Sequence, residues 1–207
     1  MQGAEGARSV RTRCLAASSV RADSVDHDVR TLCVNRAAVR AVDAAELDVW
    51  RPRFCEILID AVEHGASVGF LAPLDPAEVD AYWRRVENAV AEGRCLLLVA
   101  ELEGEIIGTV QLDVDTLPNQ RHRGTVSKLL VHTESRRRGV GEALMAAVEL
   151  AAADAGRWLL TLDTATPDAA RLYERTGWTE SGVIPAYALN PDGSLTGTAF
   201  YWKELPH

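Results

Sequence analysis

The chain has 207 residues, a formal net charge of −8, 47% apolar and 25% charged residues, which suits one soluble domain with a sizeable core. No apolar run approaches the roughly 18 residues a membrane-spanning helix needs, and the acidic balance argues against a nucleic-acid partner, because phosphate contacts need clustered cations. The cysteines at 14, 33, 55 and 95 form no C-x-x-C pair and have no histidine set beside them, which argues against zinc or disulfides and for reduced thiols in the cytoplasm.

Residues 1–30 carry Arg8, Arg11, Arg13 and Arg21 among Ser, Ala and Gly without lasting periodicity. A disordered extension is expected there, with the folded domain over 31–207; the Arg and Ser content would also suit a mitochondrial-type leader. Residues 32–42 read as one strand. Residues 44–64 read as helical, with Pro52 expected to split the helix in two. Asp75-Pro76-Ala77-Glu78 is a helix start, with Asp as cap, Pro at the first position and Glu reaching back. The helix it opens carries Val79, Tyr82, Trp83, Val86 and Val90 at helical spacing, so its aromatics are expected in the core.

Residues 96–101 and 106–115 flank Glu103-Gly104-Glu105 as an antiparallel hairpin. Residues 126–131 form an apolar strand and 141–155 an apolar-periodic helix ending at Gly156. Residues 158–163 read as a strand. Thr166-Pro167 restarts a helix that runs through Tyr173 to Gly177, and Asn190-Pro191-Asp192-Gly193 turns between the last two strands. This order predicts a mixed α/β (α+β) single domain. Its central sheet would be antiparallel in the first half, with later βαβ crossovers and a C-terminal hairpin.

The densest signal is VSKLLVHTESRRRGVGE at 126–142. A strand, a polar turn and Arg136-x-x-Gly139-x-Gly141 lead directly into a helix. The glycines let backbone N–H groups approach a ligand, and the first N–H groups of the helix lack partners and favour an anion. Arg136, Arg137 and Arg138 add charge suited to phosphate. Six Lys or Arg residues and one acid lie between Arg121 and Arg138, a local basic patch that points to a small anionic ligand. Neither G-x-G-x-x-G nor G-x-x-x-x-G-K-[ST] is present.

The loop resembles the [QR]-x-x-G-x-[GA] motif of the GNAT acetyltransferases. GASVGFLAPL at 65–74, NQRHR from Asn119, LDT at 162–164 and IPAYALNPDGSL at 184–195 are similar to the tabtoxin-resistance acetyltransferase subgroup. The resemblance implies a GNAT-type domain that binds acetyl-CoA and acetylates a primary amine of a small molecule (an amino-acid-like toxin, an antibiotic or a metabolite) by direct attack on the thioester, with detoxification or self-resistance as the setting, no metal, and a possible homodimer. It places acetyl-CoA on Leu129, Leu130 and Val131 of the strand and on Arg136, Arg137, Arg138, Gly139, Val140, Gly141 and Glu142 of the loop. It implies Asp163 as the carboxylate that removes the amine proton through water, and Tyr173 as the proton donor to the leaving thiolate. On the residues alone, Asp163 could instead cap the next turn and Tyr173 could be a core tyrosine.

An amine attacking a thioester must be neutral, and the oxyanion and leaving thiolate need stabilisation. At pH 7 an alkyl amine is neutral about once in 2,500 molecules, an α-amine about once in ten, so a base matters more for the former. The subgroup pattern R-[AG]-E-V-x-K reads Arg123-Gly124-Thr125-Val126 here, with a threonine where a second carboxylate is expected, and Thr166 stands where many members carry Asn. Gln111, Asp113, Thr125 and Tyr187 are candidate acceptor-pocket residues, and His122 a weaker one. A protein lysine or N-terminal acetyltransferase and a non-catalytic acyl-CoA-binding regulator remain alternatives.

Overall fold

The computed structural model describes residues 32–34 and 37–207; the expected extension over 1–30, with Cys14, lies outside the described residues. One eight-stranded sheet runs in the order β1-β2-β3-β4-β5-β6-β8-β7. Its strands are β1 (Leu32–Val34), β2 (Ala37–Val42), β3 (Cys95–Leu102), β4 (Glu105–Asp113), β5 (Arg123–Val131), β6 (Leu159–Thr164), β7 (Thr179–Leu189) and β8 (Leu195–Glu204). Every neighbouring pair is antiparallel except β5–β6. The mixed fold class is therefore as expected, with β8 lying between β6 and β7. The segment read as a single strand is two, since Leu32 pairs with Val39 and Val34 with Ala37.

The helices are α1 (Ala44–Glu63), α2 (Pro76–Ala91), α3 (Val140–Asp154) and α4 (Pro167–Arg175). They build a core on each face of the sheet. One combines α1 and α2 with Leu97, Val99, Ile106 and Leu130; the other combines α3 with Val110, Leu112, Val126, Leu160 and Leu162, with Tyr173 of α4 packed into it. Asp75 Oδ1 accepts from Ala77 N at 2.9 Å, which starts α2 as its sequence indicates. Trp83 is buried against Phe54 at 4.8 Å between ring centroids.

Pro52 does not split α1, which is continuous through it. Proline in a helix interior costs about 3 kcal/mol. Leu47 before it and Phe54, Ile57 and Leu58 after it are all buried in the same core. At roughly 1.5–3 kcal/mol each, their burial outweighs the lost hydrogen bond, and Pro52 itself sits on the exposed face.

Strand β5 carries the feature that shapes the functional end. Gln111 of β4 pairs with Ser127 and Thr109 with Leu130, so one β4 residue lies opposite two in β5. That bulge falls at Lys128, whose φ is +50°. It explains why Val126 packs in the α3-side core while Leu130, four residues on, packs in the α1/α2-side core, which strict alternation forbids.

Candidate active site

The parallel ladder between β5 and β6 ends early. Arg123, Gly124 and Thr125 pair with Leu159, Leu160 and Thr161, whereas β5 continues to Val131 and β6 to Thr164. Past the last pair the two strands part, so the stretch of β5 containing Leu129, Leu130 and Val131 borders an opening between strands. Backbone groups on such an edge need partners; one, the Val131 carbonyl, accepts from Arg136 Nε at 2.9 Å.

That opening leads to the loop before α3. After a 3-10 turn at Thr133–Ser135, Arg137 and Gly139 both adopt left-handed φ, +61° and +82°. A left-handed residue at this point turns successive N–H groups to one side, an arrangement that binds anions. Gly139 is the N-cap of α3 and makes no side-chain cap bond, and the first helical bond runs from Ala143 N to Gly139 O. The N–H groups of Val140, Gly141 and Glu142 therefore precede the first bonded turn and have no carbonyl partner within the helix. Helix α4 braces this corner: a Cβ on Gly141 would lie 3.3 Å from Leu172 Cδ2, and Arg175 pairs with Glu142 at 3.2 Å.

Asp60 of α1, whose side chain is 12% exposed, holds the turn from the other side. Its Oδ2 accepts from both the backbone N and the Oγ1 of Thr133 at 2.9 Å, and Arg136 approaches it at 3.5 Å. His64 and His132 lie 3.3 and 4.0 Å away. Arg136 is thus turned back onto β5 and α1. Charged hydrogen bonds of this kind contribute roughly 1.5–3 kcal/mol each. Asp60→Ala is expected to lower stability by about 2–3 kcal/mol, read as a lower urea midpoint at unchanged m-value. A loss below about 0.5 kcal/mol, the range of a neutral surface change, would mean the turn is held by something else.

The α1/α2 face of the sheet is polar beside the opening. Thr125 Oγ1 and Thr161 Oγ1 are 3.4 Å apart, and Asp163 follows Thr161 on the same face. Asp163 is exposed. It does not cap the next turn, because Thr164 Oγ1 accepts from Thr166 N at 3.1 Å and takes that role. Asp163 acts electrostatically on two neighbours. Burial, then the Asp163 charge, pushes the Tyr173 phenol well above the usual tyrosine range. Burial pulls the Lys128 ammonium down, and Asp163 opposes that fall. Tyr173 itself is buried, its ring 5.7 Å from that of Tyr201 and 6.1 Å from that of Trp178.

The other sequence candidates separate. Gln111 is buried, 6% exposed, and its Oε1 accepts from Tyr82 Oη at 3.0 Å, so it holds α2 to the sheet. Asp113 is exposed and folds back on itself, its Oδ1 accepting from Asp115 N at 2.8 Å. Tyr187 is 54% exposed and packs edge-on to Phe200 at 5.1 Å; Phe200 is paired with Asp163, which puts Tyr187 at the rim. His122 is not in the pocket. It stacks on Trp158 at 4.7 Å beside the start of β6, five residues or about 17 Å along the strand from Asp163.

The segment between α1 and α2 passes over the α1/α2 face of the sheet beside Lys128. Ser67 Oγ donates to Leu189 O at 3.2 Å and Ala72 N to Pro191 O at 2.8 Å, tying it to the β7–β8 hairpin. Phe70 packs edge-on to Tyr82 at 5.4 Å. Lys128 Nζ stands 5.6 Å from the Tyr82 ring centroid, a contact the sequence does not show. A helical aromatic reads as core, and only the bulge turns Lys128 toward it. Among the described residues no group of three or more His, Cys, Asp or Glu could hold a metal ion, and no helix is long and apolar enough to cross a membrane.

A family profile described as the acetyltransferase (GNAT) domain matches residues 93–180. The structure superposes on ribosomal-protein-alanine N-acetyltransferase from Brucella melitensis with a TM-score of 0.66 at 24% identity, covering 81% of this chain and 99% of that one. The fold is that of the GNAT acetyltransferases. Another GNAT structure, a phosphinothricin acetyltransferase from Sinorhizobium meliloti in complex with AcCoA, matches with a TM-score of 0.67 at 23% identity, covering 82% of this chain and 89% of that one. In sequence, an uncharacterized N-acetyltransferase in the hisH-hisA intergenic region of Azospirillum brasilense is 33% identical over 111 residues. Those residues are 53% of this chain and 64% of that relative, so the chain spans less than two thirds of it. The GNAT profile spans β3 to the start of β7, and therefore both the strand opening and the loop before α3.

Proposed function

We propose that this chain is an acetyl-CoA-dependent N-acetyltransferase acting on a primary amine of a small molecule, with 31–207 as its catalytic domain. The observation that carries the reading is the parting of β5 and β6 beside a left-handed loop that leads into the unbonded first N–H groups of α3. A long, thin ligand with a pyrophosphate fits that shape, its phosphates on the loop and its arm between the strands. The Sinorhizobium neighbour was solved with AcCoA, and the motif likeness to the tabtoxin-resistance subgroup points the same way.

Acetyl-CoA supplies an activated acyl thioester. The N–H groups of Val140, Gly141 and Glu142, with the charges of Arg137 and Arg138, hold its pyrophosphate, while Arg136 fixes the loop against β5. The Leu129–Val131 edge aligns the acyl group and offers an N–H to its carbonyl oxygen. Asp163 takes the amine proton through water. Tyr173, kept protonated by burial and by Asp163, gives its proton to the departing sulfur. Thr125 and Thr161 can orient the water with their hydroxyls, and Tyr187 borders the amine's entrance.

A small acceptor is favoured because residues 65–74 are hydrogen-bonded to the terminal hairpin, which narrows any groove for a peptide. Free-thiol release from acetyl-CoA with amino acids, polyamines and lysine peptides tests this directly. Turnover is expected on one or more small amines. Turnover on peptides alone would make the chain a protein acetyltransferase, and tight acetyl-CoA binding without release on any amine would make it an acyl-CoA-binding regulator.

A further inference from the structure

We propose that Asp60 is a positioning residue of the cofactor site: from the last turn of α1 it holds the loop before α3 in the shape that receives the pyrophosphate. This role rests on the acetyl-CoA reading of that loop given above. Asp60 lies outside residues 93–180, which the family profile matches and which contain the glycine motif. It is 73 residues from the Thr133 it binds, so no local pattern marks it.

The carboxylate sits at the N-terminus of the Thr133–Ser135 turn, and both of its short bonds to that turn go to one residue. Oδ2 accepts from Thr133 N and from Thr133 Oγ1, each at 2.9 Å. A charged acceptor on the first N–H of a turn and on the hydroxyl of the same residue fixes backbone and side chain together. The residue so fixed closes the turn, since Thr133 O accepts from Arg136 N at 3.3 Å. Arg136 is held through two of its nitrogens: Nε donates to Val131 O at 2.9 Å, and Nη2 lies 3.5 Å from Asp60 Oδ2. Next in the chain is Arg137, left-handed at φ +61°. A left-handed arginine is strained backbone that persists only where surrounding structure holds it. On its upstream side the Asp60–Thr133–Arg136 set does so.

Helix α1 is a firm anchor for this set. Phe54, Ile57 and Leu58 bury it in the core on that face of the sheet, and Arg53 Nε donates to Ile106 O of β4 at 2.7 Å. The Asp60 carbonyl accepts from His64 N at 3.1 Å, which keeps the last turn closed. Charge and position pull in opposite directions here. A carboxylate beside a phosphate loop repels its ligand, so by Coulomb's law alone Asp60→Asn should tighten binding. A positioning role gives the other sign. An amide oxygen is a weaker acceptor than a carboxylate, and a loop that visits its competent shape less often binds proportionately less well.

Calorimetric titration of the full-length protein with CoA, beside steady-state thiol release from acetyl-CoA, tests this in wild type, Asp60→Asn and Thr133→Val, below the melting range of each. Asp60→Asn is expected to raise Kd for CoA by about tenfold or more. KM for acetyl-CoA should rise with it while kcat falls less than about threefold, the pattern of lost binding. Thr133→Val removes the Oγ1 bond and leaves the charge in place; it should shift Kd the same way, and the double variant should lose less than the product of the two. A Kd that is unchanged or tighter in Asp60→Asn overturns the proposal. Should that variant not fold, an unchanged Kd in Thr133→Val overturns it alone. CoA binding that depends on Asp60, with no thiol release on any amine, would uphold the positioning role and sink the transferase reading. Thiol release with a Kd indifferent to Asp60 would do the reverse, and a wild type that binds no CoA would overturn both.

Discussion

Asp163→Asn is expected to lower kcat by about 100-fold or more, the range of a lost general base, with KM for acetyl-CoA little changed. The residue is exposed at the end of β6, and Thr164 satisfies the turn that follows it. Its carboxylate is therefore committed to no structural bond among the described residues. Gln111 is occupied with Tyr82 and Asp113 with its own turn; Thr125, opposite Thr161, is a hydroxyl that cannot accept a proton near neutrality. Of the candidates named from the sequence, Asp163 is thus the carboxylate we propose as the one that serves the amine. The defect should shrink as pH rises, because the neutral fraction of the amine grows about tenfold per pH unit below its own pKa. Steady-state thiol release from pH 6.5 to 9.5 checks both parts. A fall of less than about fivefold, small beside a base's usual contribution, would remove Asp163 from the proton path.

Gly139→Val is expected to weaken acetyl-CoA binding by about 100-fold while the protein stays folded. Gly139 has φ +82°. A left-handed conformation costs an L-residue roughly 1–2 kcal/mol, more for a β-branched one. The substituted loop would relax toward negative φ and swing its N–H groups away from a common centre. The strain falls on a surface loop whose neighbours Arg136, Arg137 and Arg138 are exposed, so the cores on either face of the sheet are not disturbed. Calorimetric titration with acetyl-CoA, alongside a thermal melt, separates affinity from folding. Unchanged affinity would mean that the pyrophosphate is bound elsewhere.

The loop was legible in the sequence because everything that builds it is local. A buried strand, a turn, two glycines and a helix follow one another within seventeen residues, and an N-terminal anion site is a property of the helix itself. The same holds for the α2 cap at Asp75 and the β3–β4 hairpin. Pro52 misled because propensity is local while the burial of Phe54, Ile57 and Leu58 that overrides it is not. His122 misled because flanking a central strand says nothing of which end of it faces the ligand; its stacking on Trp158 fixes it at the far end.

The order of strands and helices and the phosphate-type loop were thus determined by the sequence, through periodicity and glycine placement that need no distant partner, while Asp163 and Tyr173 became candidates through the family resemblance. Tertiary structure alone decided which side of the sheet each candidate faces. The bulge at Lys128 depends on how β5 registers against β4, and a one-residue slip in register exchanges the faces of every side chain beyond it. Tyr82 could meet Lys128, and the 65–74 segment could close on the terminal hairpin, only after α2 and β8 had taken their places against that sheet.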